Sequence, residues 1–155
     1  MDEMHKTIFD INYDQLIKNG KQCFIYDFDN TLNRWRESHV DQPIIELFKK
    51  LNSKGVKILI VSNGHPRKLE IDVECIWLAR KPFAFKVRKW LKNNNIDPKT
   101  VVVIGDQLFT DVLFGKFIKA YTIKVEPLDK KHEFWGTKIL RFFEKLVLKM
   151  LKAMV

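Results

Sequence analysis

The stretch Cys23-Phe24-Ile25-Tyr26-Asp27-Phe28-Asp29-Asn30-Thr31-Leu32 decides how the chain is read. Four apolar residues in a row, Cys23 to Tyr26, have the length and character of a buried strand, and they stop at a carboxylate. A period of two sets Asp27 and Asp29 on one side if the chain stays extended beyond the strand; a turn here would alter that. Two carboxylates so close repel each other unless a cation lies between them. Mg²⁺, which prefers oxygen ligands, suits that place. The competing reading is a strand end closed by an Asx turn through Asn30 and Thr31.

Outward from this stretch the pattern repeats. Asp41-Gln42-Pro43 reads as a helix start, with Asp41 as N-cap and proline in the first turn. Ile44, Ile45, Leu47, Phe48 and Leu51 follow at helical spacing, and Gly55 stops the helix. Val56–Val61 is a second strand, ended by Ser62-Asn63-Gly64. Val73–Ala79 is ambiguous and is read as a short strand; Phe83–Asn94 reads as a helix. Val101–Ile104 is the clearest buried strand, followed by Gly105-Asp106, a short helix around Leu108–Lys116 and a last strand at Ala120–Val125. Met1–Lys21 gives only a mixed lead-in. Strands alternating with helices predict an α/β fold with a mostly parallel sheet. Ligands of such sheets bind beyond the carboxyl ends of the strands, where the polar residues to test are Asp27, Asp29, Ser62, Asn63 and Asp106.

Each of these supports some chemistry and also a plainer role. Ser62 and Asn63 could donate to a phosphate oxygen, or simply form a turn into Gly64. Lys81, before Pro82, could neutralise a transferring phosphoryl group, or be one surface lysine in a basic run. Asp106 and Asp111 add two carboxylates after the strongest strand, and Asp111 could equally complement a helix N-terminus.

Taken together and in order, Asp27-x-Asp29-x-Thr31, Ser62, Lys81 and Gly105-Asp106-x4-Asp111 resemble the four motifs of the haloacid dehalogenase (HAD) superfamily of phosphatases. Within it the chain is most similar to the YqeG-type group, itself similar to the mitochondrial phosphatidylglycerophosphatases. The matching residues are Asp27-Phe28-Asp29-Asn30-Thr31-Leu32, Val61-Ser62-Asn63, Ala79-Arg80-Lys81-Pro82 and Gly105 to Val112. The chain departs from the group over Gly115–Ala120, where Gly-Asn and a second glycine are expected. The resemblance implies a three-layer Rossmann-like sandwich and an aspartyl-phosphate mechanism. Asp27 would be the nucleophile and Asp29 the general acid and base. Mg²⁺ would be held by Asp27, Asp29 through its carbonyl, Asp106 and Asp111. Phosphate would be bound by Ser62, Lys81, Asn63 and Thr31.

The chain has 155 residues, 46% hydrophobic, with 28 Lys+Arg against 19 Asp+Glu and a net charge of +9. That is one domain's length, and 12 Phe exclude a disordered chain. Cys23 and Cys75 match no metal or redox spacing and no disulfide scaffold. Between Leu32 and Ser62 there is room only for a helix and a strand, and Asn63 to Lys81 is shorter still, so neither interval houses a cap domain. An open site favours a large or surface-bound substrate, unless self-association supplies a lid.

The excess charge sits in two segments. Residues 80–99 hold seven Lys/Arg and one Asp, net +6; residues 129–155 hold seven Lys/Arg and three Asp/Glu, net +4. In the second, Lys138, Arg141, Lys145, Lys149 and Lys152 form one stripe of a helix whose opposite face is apolar, from Trp135 to Met154. Such a helix either lies in an anionic membrane interface or packs on protein. The expected organisation is a capless phosphatase domain over residues 1–128 and a basic amphipathic helix over 129–155, part of that domain or facing a membrane. The resemblance and the charge imply hydrolysis of phosphatidylglycerophosphate by a cytoplasmic enzyme peripheral to the inner face of the membrane. Its partners would be anionic phospholipid ahead of nucleic acid. A nucleic-acid 3′-phosphate or a soluble sugar phosphate is the alternative substrate, and a noncatalytic HAD-fold binding protein is the alternative class.

Overall fold

The structure, a computed structural model, describes residues 1–34, 37–129 and 135–153, the side chains at 135–140, 146 and 151 excepted. The described residues form six strands: β1 (Glu3–His5), β2 (Cys23–Tyr26), β3 (Lys57–Val61), β4 (Glu74–Ile76), β5 (Val101–Gly105) and β6 (Tyr121–Val125). The helices are α1 (Tyr13–Lys18), α2 (Gln42–Ser53), α3 (Phe85–Asn93), α4 (Leu113–Phe117) and α5 (Trp135–Ala153).

All six strands pair in parallel, in the order β1-β6-β5-β2-β3-β4. β2 and β5 lie at the centre and are buried at every position, as a parallel sheet covered on both faces requires. Alternate residues of each strand feed opposite faces. Phe24, Tyr26, Ile58, Ile60, Val102 and Ile104 pack with Ile44, Phe48 and Leu51 of α2 and Leu16 of α1. Cys23, Ile25, Leu59, Val61, Val101 and Val103 pack with Val87 and Leu91 of α3 and Phe114 of α4. This is the three-layer α/β architecture expected from the sequence, and each large side chain fully buried in it contributes roughly 1.5–3 kcal/mol. Cys23 and Cys75 are free thiols.

The intervals between the expected motifs hold single elements and loops, with no inserted domain among the described residues. α2 carries proline in its first turn, and Gly55 (φ 77°) follows its end, but Asp41 makes no side-chain cap hydrogen bond. The expected helix at Leu108–Lys116 is instead a π-helical turn, Leu108–Val112, running into α4. The lead-in contains an edge strand, a 3₁₀ turn capped by Thr7, and α1. In the divergent segment after Gly115, Lys119 has φ 62°, a conformation glycine adopts without strain. At Gly115 itself a Cβ would lie 2.4 Å from Thr122 Cγ2, so the close approach of α4 to β6 requires glycine there.

The topology fixes where the chemistry lies. From β2 the chain winds outward through β3 and β4, then crosses to the other side of β2 to form β5. The carboxyl ends of the adjacent strands β2 and β5 therefore open a crevice at the switch point. Asp27 and Asp106 are the residues immediately beyond those ends.

Candidate active site

Asp27 continues the β2 ladder, its N–H donating to Ile104 O at 2.9 Å. The chain then turns. Asn30 has φ 64° and is wholly buried; besides glycine, asparagine is among the few residues that take this conformation readily. The turn brings Thr31 back, so that its hydroxyl lies 3.3 Å from Asp27 Oδ2 and 3.4 Å from Asp106 Oδ1. Thr31 thus ties the two carboxylates together, where the sequence suggested a phosphate contact.

Lys81 enters from the loop after β4. Its Nζ donates to Asp27 Oδ1 and Asp111 Oδ1, each at 2.6 Å, with its side chain 3% exposed. Asn63 positions it: Asn63 Nδ2 donates to Lys81 O at 3.1 Å, and Lys81 N donates to Asn63 Oδ1 at 2.6 Å. The Asn63 amide is committed to the Lys81 backbone rather than turned to a phosphate. Ser62 is buried at the end of β3, its Oγ accepting from Gly64 N at 3.0 Å. Asp111, on the π-helical turn, also accepts from Gln107 N at 3.0 Å. It reaches this place only because residue 105 is glycine, where a Cβ would lie 2.4 Å from the Asp111 side chain.

Asp27, Asp106 and Asp111 offer oxygens within 4.8 Å of one another, a set that could hold a metal ion. Their electrostatics fit that use. Burial, reinforced by Asp111 and Asp106, lifts the Asp27 carboxyl well above the ordinary range despite Lys81. Burial and Asp111 push Asp106 up to about 7 against the pull of Arg141. For Lys81, burial would lower the pKa, but Asp111 and Asp27 outweigh it and hold the ammonium protonated. A hard, all-oxygen cluster short of positive charge suits Mg²⁺.

Three side chains that the sequence reading did not place at the site complete it. Arg67, between β3 and β4, grips Asp29 with both prongs, Nη1 to Oδ1 at 2.9 Å and Nη2 to Oδ2 at 2.7 Å. Arg141 of α5 donates from Nη2 to Asp106 Oδ2 at 2.6 Å. Glu144, buried on the same helix, accepts from Leu108 N and Phe109 N at 2.6 and 3.2 Å, satisfying the start of the π-helical turn. So α5 docks on the active-site loop, and Arg141, read as one of a basic stripe facing either a membrane or protein, turns to the site. Lys138, Trp135, Ile139, Leu140, Leu146, Leu151 and Met154 lie outside the residues whose side chains are described. Asp29 stands apart from the Asp27–Asp106–Asp111 cluster, its carboxylate on Arg67. No signal in the sequence marked Arg67, a lone arginine in a loop. Arg141 and Glu144, three apart on a helix, could have been found as an inward-facing pair.

Comparison with known proteins identifies the family and the fold. The mitochondrial PGP phosphatase family matches residues 4–128. The chain is 34% identical to "Probable phosphatase YqeG" of Bacillus subtilis (strain 168), over 97% of this chain and 90% of that protein. Two solved structures share the fold. The core domain of a "putative phosphoglycolate phosphatase" from Streptococcus pneumoniae TIGR4 has TM-score 0.54 and 19% identity, covering 80% of this chain and 96% of that one. An uncharacterized protein from Listeria monocytogenes serotype 4b has TM-score 0.55 and 14% identity, covering 73% and 85%.

Proposed function

The chain belongs to the mitochondrial PGP phosphatase family of HAD-like phosphatases, and on that premise we propose that it hydrolyses phosphatidylglycerophosphate to phosphatidylglycerol and phosphate at a membrane surface. The observation that carries the reaction is the convergence of Asp27, Asp106 and Asp111 with Lys81 at the switch point of the sheet.

In the first half-reaction an Asp27 oxygen forms a bond to phosphorus while the bond from phosphorus to the glycerol oxygen breaks. Asp29 gives its proton to that leaving oxygen. In the second half, Asp29 takes a proton from water, the hydroxide attacks phosphorus, and the Asp27–phosphorus bond breaks to release phosphate. Ser62 Oγ and Lys81 Nζ hold phosphoryl oxygens throughout, and Thr31 and Asn63 keep the Asp27 carboxylate and Lys81 in place. Bound by Asp27, Asp106 and Asp111, Mg²⁺ would offset charge on the carboxylates and polarise the phosphoryl oxygens.

Two surfaces support a lipid substrate. Beside Lys81, Phe83 and Phe85 are 60% and 77% exposed and stack on each other, flanked by Arg80 and Lys86. On α5, Phe142, Phe143 and Met150 are exposed alongside Lys145 and Lys149. Apolar side chains ringed by cations suit an anionic bilayer. Among the described residues no helix is long and apolar enough to cross a membrane, and the contact proposed is a peripheral one.

The test is phosphate release from phosphatidylglycerophosphate vesicles, with Mg²⁺ and with chelator. A 3′-phosphorylated oligonucleotide and a sugar phosphate are run beside them at equal concentration. Metal-dependent release with the lipid preferred is expected. Preference for a soluble ester would replace the lipid, and no release from any ester would leave a noncatalytic binding protein.

A further inference from the structure

Arg67 makes more contacts than a structural ion pair needs. Its guanidinium holds both oxygens of Asp29, at 2.9 and 2.7 Å, and donates from Nη1 to Glu37 O at 3.0 Å. It lies over two aromatic faces, 4.7 Å from the centre of the Phe28 ring and 5.2 Å from that of Trp77. A Cβ at Gly64 would be 3.1 Å from Arg67 Nη2, 3.2 Å from Asp29 Oδ2 and 3.2 Å from Ser62 Oγ. The guanidinium, the acid–base carboxylate and the phosphate-binding hydroxyl therefore crowd around one glycine. The Arg67 and Asp29 side chains are 17% and 15% exposed, at the mouth of the site rather than its floor.

This arrangement conflicts with the work of Asp29. A guanidinium has donors only. While both Asp29 oxygens accept from it, neither can present to a leaving oxygen the proton that the first half-reaction consumes. Arg67 must therefore leave Asp29 before that step. A planar cation on an aromatic platform keeps part of its stabilisation when its fork turns away. What competes for a two-pronged fork is another oxyanion of matching shape, above all a phosphate group.

We propose that Arg67 is a specificity residue that holds Asp29 in reserve and exchanges it for a second anionic group on the substrate's leaving portion. Resting on the reading of the protein as a phosphatidylglycerophosphate phosphatase, that second group is the phosphodiester at the far end of the same glycerol. Its capture by Arg67 turns Asp29 toward the bond to be broken. A phosphomonoester whose leaving group lacks another anion leaves Arg67 on Asp29 and reacts slowly. Arg67 thereby couples recognition of the leaving group to delivery of the proton.

The test compares two soluble esters that share an alkoxide leaving group, dihexanoyl phosphatidylglycerophosphate and sn-glycerol 3-phosphate, with wild type, Arg67→Ala and Arg67→Lys. Losing a charged hydrogen-bonded contact should lower kcat/KM of Arg67→Ala on the lipid roughly 10- to 100-fold. On glycerol phosphate its kcat should rise several-fold, because the Arg67 fork no longer occupies both Asp29 oxygens. Arg67→Lys, which keeps the charge without the fork, should recover part of the preference. Inhibition by dihexanoyl phosphatidylglycerol, which carries only the phosphodiester, should weaken in Arg67→Ala, while inhibition by inorganic phosphate should not. An equal fall on both esters, or an undiminished lipid preference in a variant with wild-type melting, overturns the inference and leaves the proposed substrate standing. Wild type that hydrolyses glycerol phosphate but not the lipid overturns the substrate as well.

Discussion

Asp106 shows at the scale of one residue what burial does to a carboxylate. Its folded pKa is about 7, against about 3.8 for an ordinary aspartate. The folded state binds that proton more tightly than the unfolded chain does. The protonated group therefore stabilises the fold below about pH 4, and this contribution is lost as pH rises to about 7. In metal-free protein, melting temperature should fall more steeply across that window in wild type than in Asp106→Asn. Equal slopes in differential scanning fluorimetry would refute the assignment. Gly105 is the other sensitive position, because a methyl group there meets the Asp111 side chain at 2.4 Å. Gly105→Ala should displace Asp111 from Lys81 and cut kcat roughly 100-fold, measured as phosphate release, since misplacement by about 1 Å has that effect. Asp27, Asp106 and Asp111 were legible in the sequence because each follows or closely trails a recognisable strand end. Arg67 was not, and Arg141 showed only its place on a helix face, because tertiary folding alone brings a loop and a distant helix onto those carboxylates.

At the scale of elements, legibility tracked burial. β2, β3 and β5 are apolar runs, and a sequence reading finds such runs. β1 is Glu3-Met4-His5, a three-residue edge strand with no apolar pattern, visible only through its pairing with β6. The π-helical turn also escaped: its geometry is set by Asp111 reaching back to Gln107 N and by Glu144 closing its first amides. Neither contact is encoded in local periodicity. The loop between β4 and α3 carries its own prediction. Phe83 and Phe85 stand exposed next to the lysine that enters the site. If they enter a bilayer, each contributes roughly 1.5–3 kcal/mol to binding. The double variant Phe83→Ser, Phe85→Ser should lower co-sedimentation with anionic vesicles by at least about tenfold. Unchanged sedimentation would move the membrane contact to α5.

For the whole molecule, the arrangement of the sheet and the balance of charge act together. The site exists only when β2 and β5 are neighbours, so it reports the assembly of both halves of the sheet. A ligand that binds the folded state alone stabilises it by about 2.7 kcal/mol at a hundred times its Kd. Mg²⁺ should accordingly raise the melting temperature in a concentration-dependent way, and the rise should be abolished in the Asp27→Asn, Asp106→Asn double variant. The same rise in that variant would place metal binding elsewhere. The net charge of +9, which by itself indicates only an anionic partner, now has particular tasks. Lys81, Arg67 and Arg141 face the carboxylates of the site, while Arg80, Lys86, Lys145 and Lys149 remain toward solvent.

Those three inward cations also bear on the order of events in synthesis. Asp27, Asp29, Asp106 and Asp111 each have one of them as a counterion within the chain. The buried carboxylates are therefore balanced by cations of the chain itself. The last counterion to emerge from the ribosome is Arg141, on the most C-terminal helix. Until it arrives Asp106 lacks its cationic partner, so the charges of the site balance only once that helix docks.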